Sequence, residues 1–421
     1  IKPESFGILP GLIEPDVLQT IQALPGVLST DETVSNINIR GGTHDQNLLL
    51  WDGIKMYQSG HFFGLISAFN PYTTKRINVY KNGTSAKYGD GISSVIDMQL
   101  PNEIDNEFKA GLGFNLINVD GFAKIPLSNK TELQISSRRS VTDLILTPTY
   151  DQYFKRIFQD SDLTNENRNS ISQNEQFYFY DINVKFLYDI TANDRIRIHF
   201  LNVNNKLNYD ERSTINDRNE AFNSKLSQQN LATGITYTKD WNKTLSTSSQ
   251  IYVSNYDLDA TNYDITNNQR LRQENEVYDG AAKMDINYAP NHRLKINGGY
   301  QFTEVGISNL EDVNNPAFRS YIKEVIRSHA IYAETGLLSN NAKTNLKIGG
   351  RLNYLPKFDM LIAEPRLSFS QRFLNDFRIE ILGEFKSQTT TQIIDLQNDF
   401  LGIEKRRWIL SNNKDIPVLK S

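Results

Sequence analysis

From Phe108 to Gln388 the chain is written in segments of roughly 10 to 14 residues in which apolar and polar side chains alternate, and no other feature narrows its fold so far. In Arg293–Phe302, RLKINGGYQF, one face carries Leu294, Ile296, Gly298, Tyr300 and Phe302, and the other carries Arg293, Lys295, Asn297 and Gln301. Asn345–Leu355, NLKIGGRLNYL, sets Leu346, Ile348, Leu352 and Tyr354 against Lys347, Arg351 and Asn353. INVKFLYDI aligns Ile182, Val184, Phe186 and Tyr188, and FRIEILGEF aligns Phe377, Ile379, Ile381 and Phe385. A period of two is the signature of a strand, and about thirteen such strands can be counted. A soluble sandwich would alternate as well, so the pattern alone leaves two architectures open.

Connection lengths separate them. Ser128–Lys130, Thr191–Asp194, Asp240–Lys243, Pro290–His292, Asn340–Ala342 and Asn375–Asp376 are tight turns at every second connection. The intervening stretches, Val141–Gln176, Lys206–Ser224, Asp259–Gln273 and Ser308–Glu324, are long and polar and read as loops. Short turns at one rim and long connections at the other predict an antiparallel transmembrane β-barrel. Such a wall needs apolar residues only at every second position, which reconciles a membrane protein with a mean hydropathy of −0.49. The 20 tyrosines and 22 phenylalanines can furnish interfacial girdles. No apolar run approaches the roughly 18 residues of a spanning helix, which excludes a helical membrane protein. With 45 basic and 49 acidic residues and a net charge of −4, nothing points to nucleic acid as a partner. Cysteine is absent, which excludes a disulfide scaffold and a thiolate metal site and suits passage through an oxidising periplasm.

The first hundred or so residues obey different rules. DVLQTIQALPGV places Val17, Leu18, Ile21 and Leu24 at helical spacing, and short strand-like runs follow. In INIRGGTHDQNLLLWDGIKMYQSGHFFG, Gly41-Gly42 permits a reversal, and Asp52-Gly53 predicts a tight hairpin between Leu48–Trp51 and Ile54–Tyr57. A mixed α+β domain over residues 1–101 followed by a wall over 102–421 is therefore expected.

The motifs LPGV (Leu24–Val27), NIRGG (Asn38–Gly42), WDGI (Trp51–Ile54), INVYKNGTSAKYGDG (Ile77–Gly91) and VIDMQL (Val95–Leu100) stand in the order and at about the spacing found in TonB-dependent outer-membrane receptors. The chain resembles that family across the whole N-terminal domain. RGGTHDQNLLLWDG, HFFG, FNP and SRRS (Ser137–Ser140) resemble the Bacteroidetes-type members. The resemblance implies an N-terminal plug inside a barrel of about 22 strands, of which about thirteen are counted here, so the C-terminal part of the barrel is expected beyond this chain. QTTTQIIDLQNDFLGIEKRRWILSNNKDIPVLKS then reads as a long external loop.

For individual residues the resemblance implies the following. Arg40 would tie plug to wall through barrel carboxylates, helped by Lys81 where the family has arginine. Gly41, Gly42, Asp52, Gly53, Gly83, Tyr88 and Gly89 would form plug turns. Thr43, His44, Asp45, Gln46, His61, Phe62 and Phe63 would lie on apical loops facing the ligand, aromatic rings for stacking and polar groups for hydrogen bonds. The implied function is active import of a scarce, large ligand, most readily a ferric siderophore or similar iron chelate, driven by the TonB energy-transducing complex acting through a segment upstream of Ile1. Glycan, peptide or cobalamin import is the alternative within the family, and a passive porin or surface adhesin the alternative outside it. Outer-membrane lipid and a surface lipoprotein are the other implied partners, and a cleaved export signal is expected. The residues offer no G-x-S-x-G elbow, Walker loop or H-E-x-x-H, and His44, His61, His199, His292 and His329 lack metal-ligand spacing, so no enzyme, cofactor or metal site is expected.

Overall fold

The computed structural model describes residues 1–2, 8, 15–29, 33–61, 64–158, 170–215, 218–374, 377–394 and 406–421. Helix α1 (Val17–Gln22) begins where Asp16 caps it, one carboxylate oxygen accepting from the amides of Leu18 and Gln19 at 2.9 Å. The other oxygen accepts from Ser67 N at 2.7 Å, so the cap also anchors the helix to the sheet beside it. Val17, Leu18 and Ile21 are buried, as their spacing requires.

Short strands follow: β1 (Val27–Ser29), β2 (Ile37–Ile39), β3 (Leu48–Trp51), β4 (Ile54–Lys55), β5 (Gly60–His61), β6 (Ile66–Ser67), β7 (Arg76–Tyr80) and β8 (Val95–Gln99). Four of them form one sheet in the order β4-β3-β8-β7, with β3 and β8 parallel. The β3–β4 turn has φ of 46° at Asp52 and 82° at Gly53, the left-handed pair of a two-residue hairpin. A second reversal has φ of 51° at Arg40 and 85° at Gly41, one residue earlier than the Gly-Gly pair suggested, and bridges Ile39 to Gly42.

The remainder is dominated by a single sheet of thirteen antiparallel strands in chain order. They are β9 (Lys109–Phe114), β10 (Asn118–Ser128), β11 (Thr131–Ser140), β12 (Ser170–Asp189), β13 (Asp194–Ile215), β14 (Arg218–Asp240), β15 (Leu245–Asp264), β16 (Gln269–Tyr288), β17 (Leu294–Asn314), β18 (Ala317–Leu338), β19 (Thr344–Leu355), β20 (Met360–Phe373) and β21 (Phe377–Glu384). The apolar row faces outward and the polar row inward. On β13, Ile198 and Phe200 are exposed while Arg197 and His199 are buried, and on β17, Ile296 and Tyr300 are exposed while Gln301 is buried. This inverts the burial of a soluble protein, and it is what a wall with lipid outside and a polar filling inside requires. Among the described residues no helix is long and apolar enough to cross a membrane.

Two expectations change. The polar stretches Lys206–Ser224, Asp259–Gln273 and Ser308–Glu324 are mostly ladder, since β13 to β18 run for 20 to 23 residues and are joined by turns. Their backbones pair whether or not either face is apolar, which period counting cannot register. Within Val141–Gln176, helix α2 (Pro148–Phe158) and the first residues of β12 replace a loop. The described parts of the segment read as an external loop, residues 388–394 and 406–421, fold back inside instead. Strands β22 (Ser387–Gln388), β23 (Thr390–Ile394), β24 (Arg406–Leu410) and β25 (Leu419–Lys420) form two short pairs, β22 with β25 and β23 with β24. Trp408, Leu410 and Val418 enter an apolar cluster with Tyr57, Phe177, Phe179, Val277 and Ile307.

Candidate functional site: the seam between the N-terminal domain and the wall

The N-terminal domain meets the inward rows of the wall through polar and charged side chains. At the β3–β4 turn, Asp52 accepts from Lys185 Nζ at 2.7 Å and lies 3.1 Å from His199 Nδ1. Its other oxygen accepts from Leu100 N, and its carbonyl accepts from Gln250. A Cβ on Gly53 would stand 2.7 Å from Gln250 Oε1, so the turn glycine supplies close approach to the wall as well as a left-handed backbone. Lys55 pairs with Asp90 and donates to Thr390 Oγ1 at 3.0 Å. Asp90 also accepts from Thr389 N at 2.7 Å. Burial pushes the carboxyls of Asp52 and Asp90 upward, but Lys185 and His199 for the first, and Lys55 for the second, outweigh it and hold both below the usual carboxylate range.

A second knot surrounds His61. Its Nδ1 lies 2.8 Å from Asn205 Oδ1 and its Nε2 3.1 Å from Asp181 Oδ2, with the ring stacked on Phe179 at 4.4 Å. Arg138 donates to the same Asp181 oxygen at 2.8 Å and to the Ser67 carbonyl. Burial pushes the His61 imidazole below its ordinary value, against the pull of Asp181. Nearby, Tyr57 donates to Asp279 at 2.7 Å and meets Trp408 edge-on at 5.0 Å. A third knot joins Thr84, whose amide and hydroxyl donate to Glu384, to Arg366, which also reaches the Tyr88 carbonyl and Glu364. Gly89 lies so close to Arg351 that a Cβ there would come within 2.6 Å of its Nε.

Between β3–β4, residues 87–90 and wall strands β12 to β19 lies a cavity of about 410 Å³, bordered by Asp52, Lys55, Asp90, Lys185, Lys283 and Arg351 among others. It holds charges of both signs, with geometry suited to breakable polar contacts.

The described residues among those expected to face a ligand, Thr43, His44, Asp45, Gln46 and His61, do not line this cavity. Thr43 donates to Asp45 at 2.6 Å at the start of the turn His44–Gln46. Asp45 accepts from Thr391 Oγ1 at 2.8 Å and from Gln392 N at 3.1 Å, and His44 meets Gln392, so β23 lies directly over this turn. Asp45 is held below the usual carboxylate range; burial raises it, and the hydrogen bonds from Thr43, Gln392 and Thr391 bring it down. Gln46 accepts from Ser93 N through its carbonyl. His61 is fully buried in the seam. Phe62 and Phe63 lie outside the described residues.

Arg40 is exposed at its left-handed turn and makes no ion pair with the wall among the described residues, and Lys81 donates to the Pro25 carbonyl. At the cavity the ion pair that crosses the seam is Asp52–Lys185; Lys55–Asp90 lies within the N-terminal domain, Arg138–Asp181 lies within the wall, and His61 reaches Asp181 across the seam by a hydrogen bond. Gly83, at φ 67°, abuts Leu382, and Tyr88 donates to Asp97 at 3.2 Å. Sequence reasoning missed Lys55, Asp90, Lys185, Asp279, Lys283 and Arg351. Their one signal is parity, for each wall member falls on the polar row that faces inward.

Residues 14–95 match the TonB-dependent Receptor Plug Domain family. Curated protein sequences give no match. Among solved structures, the chain is similar to a mutant of the ferric enterobactin receptor PfeA of Pseudomonas aeruginosa, with TM-score 0.62 and 13% identity over 94% of this chain and 64% of that one. It is also similar to the siderophore receptor PirA of Acinetobacter baumannii (TM-score 0.61, 12% identity, 98% and 65%). The outer membrane transporter YddB of Escherichia coli is a third (TM-score 0.59, 10% identity, 92% and 59%). The chain thus spans less than two thirds of the length of these relatives.

Proposed function

This chain carries the plug domain of TonB-dependent receptors within the strand wall of that fold, and from that premise we propose that it serves energy-dependent import across the outer membrane. We take residues 1–101 as the plug and 102–421 as wall. The observation that carries the reading is the seam itself. Asp52–Lys185, the hydrogen bonds of Lys55 to Thr390 and of Thr389 to Asp90, and that of His61 to Asp181 fill the interior with contacts that hold while intact and give way one at a time. A passive pore has no use for such a stopper, and no nucleotide motif supplies the work, so the work comes from a partner, the TonB complex. The motifs of residues 38–70 and 137–140 support a Bacteroidetes-type receptor.

The cargo we favour is a ferric siderophore. Likeness to receptors for such chelates supports it. The test is uptake of a radioiron-labelled ferric siderophore by cells with and without the gene. Uptake that needs the gene and stops when a protonophore collapses the proton gradient supports the reading. Gene-dependent uptake that continues after collapse would mark a passive pore, and unchanged uptake with loss of glycan or cobalamin import would reassign the cargo.

A further inference from the structure

Among the four wall cations that border the cavity, two differ from the others in what they touch. Lys185 pairs with Asp52, and Arg197 with Asp189. Lys283 and Arg351 form no ion pair among the described residues. Lys283 donates to the Gly53 carbonyl at 2.8 Å and stands 4.7 Å above the ring of Tyr252. Arg351 donates to the Lys87 carbonyl at 3.2 Å, to Gln301 at 2.9 Å and to Asn353 at 2.7 Å. Each therefore rests on a plug carbonyl, and both border the same cavity. The wall lends that cavity four cations, Lys185, Arg197, Lys283 and Arg351, against two carboxylates, Asp279 and Asp285. The plug lends Asp52, Asp90 and Asp97 against Lys55 and Lys87, so the balancing negative charge sits on the part that would move.

We infer that Lys283 and Arg351 are specificity residues of the passage: with the plug displaced they lose their carbonyl partners and face an open path, so transit favours anionic cargo. The inference rests on the reading that import displaces the plug. It concerns the path through the interior, so it fixes the charge of what passes and says nothing of where the ligand is first captured. Rings of Lys and Arg select anions in pores by the same electrostatics, because a cation without a counter-ion in a narrow, partly dry space attracts a mobile negative charge.

The probe is potassium chloride, which needs no knowledge of the cargo. The receptor, purified whole from its own outer membrane, is placed in a planar bilayer. Urea then loosens the plug reversibly, and the reversal potential is read under a KCl gradient. The expected chloride-to-potassium permeability ratio exceeds one, and the pair Lys283→Met with Arg351→Gln lowers it at least about threefold at similar total conductance. Should that pair fail to assemble, Lys283→Gln and Arg351→Gln singly must each lower the ratio. The exchange Lys283→Arg with Arg351→Lys must preserve it, since charge and not shape is the claim. A ratio at or below one in the natural receptor, or a ratio indifferent to loss of both charges, overturns the inference. Because conductance is read without transport, absence of ferric siderophore uptake would sink the import reading and leave this result standing.

Discussion

His61 shows how one side chain can set the pH response of a whole seam. Burial holds its imidazole below the ordinary value, so the seated residue stays neutral where a released one would take a proton. A histidine of this kind contributes stability above its released value of about 6.5 and loses it as pH falls from there toward its seated value. Asp52 and Asp90 lie below the usual carboxylate range, so their contribution is complete above about pH 5 and disappears only below about pH 4. Plug seating, followed as the urea concentration at which protease reaches residues 1–101 in detergent, should therefore weaken in two stages on acidification. His61→Gln should flatten the stage that begins as pH falls below about 6.5 and retain the acid one. An unchanged upper stage in the variant would remove His61 from this role. The sequence marked His61 and quoted Arg138 within SRRS, yet gave no sign that Asp181 would join them. Arg138 and Asp181 stand opposite each other on β11 and β12, and the arrival of His61 between them depends on the depth at which the plug sits, which no local pattern encodes.

Among the elements, the β23–β24 hairpin is the most informative, because it was expected outside and lies within. It touches plug and wall together. Thr391 and Gln392 hold Asp45, Arg406 meets Asn36, and the Trp408 backbone donates to Asn275 Oδ1 at 2.9 Å and accepts from Asn275 Nδ2 at 3.1 Å. Asp45→Ala should leave Gln392 N without its acceptor and cost the hairpin about 1–3 kcal/mol of its docking. Faster tryptic cleavage at Arg406 and Arg407, with the wall still heat-modifiable, is the expected result, and unaltered cleavage would show that the wall alone retains the hairpin. The tight turns were legible because Asn, Asp and Gly announce them. The extra length of β13 to β18 was not, because a ladder standing in water has no apolar row to reveal it.

At the scale of the whole molecule, the fold was legible because lipid outside and a polar plug inside impose opposite demands on alternate residues. Ile251, exposed on the outer row of β15, should tolerate lysine poorly, at a cost of about 2–4 kcal/mol if it sits near the bilayer midplane. Urea unfolding in lipid vesicles measures this, and a cost below about 0.5 kcal/mol would place the residue outside the apolar band. The parallel pairing of β3 with β8 has a mechanical consequence. The wall begins just after β8, so it restrains that strand at its C-terminal end, whereas a pull from the N-terminal side reaches β3 at its opposite end. The two strands are then loaded in shear. The bonds between Leu48–Trp51 and Val95–Met98, with the flanking Leu48 N to Ser94 O and Asp52 N to Met98 O at 2.8 Å, share the force together. Helix α1 and the β1–β2 pair stand ahead of that clamp in the chain and would peel away before it slips, so traction would thin the stopper from its leading edge and leave β8 fastened to the wall.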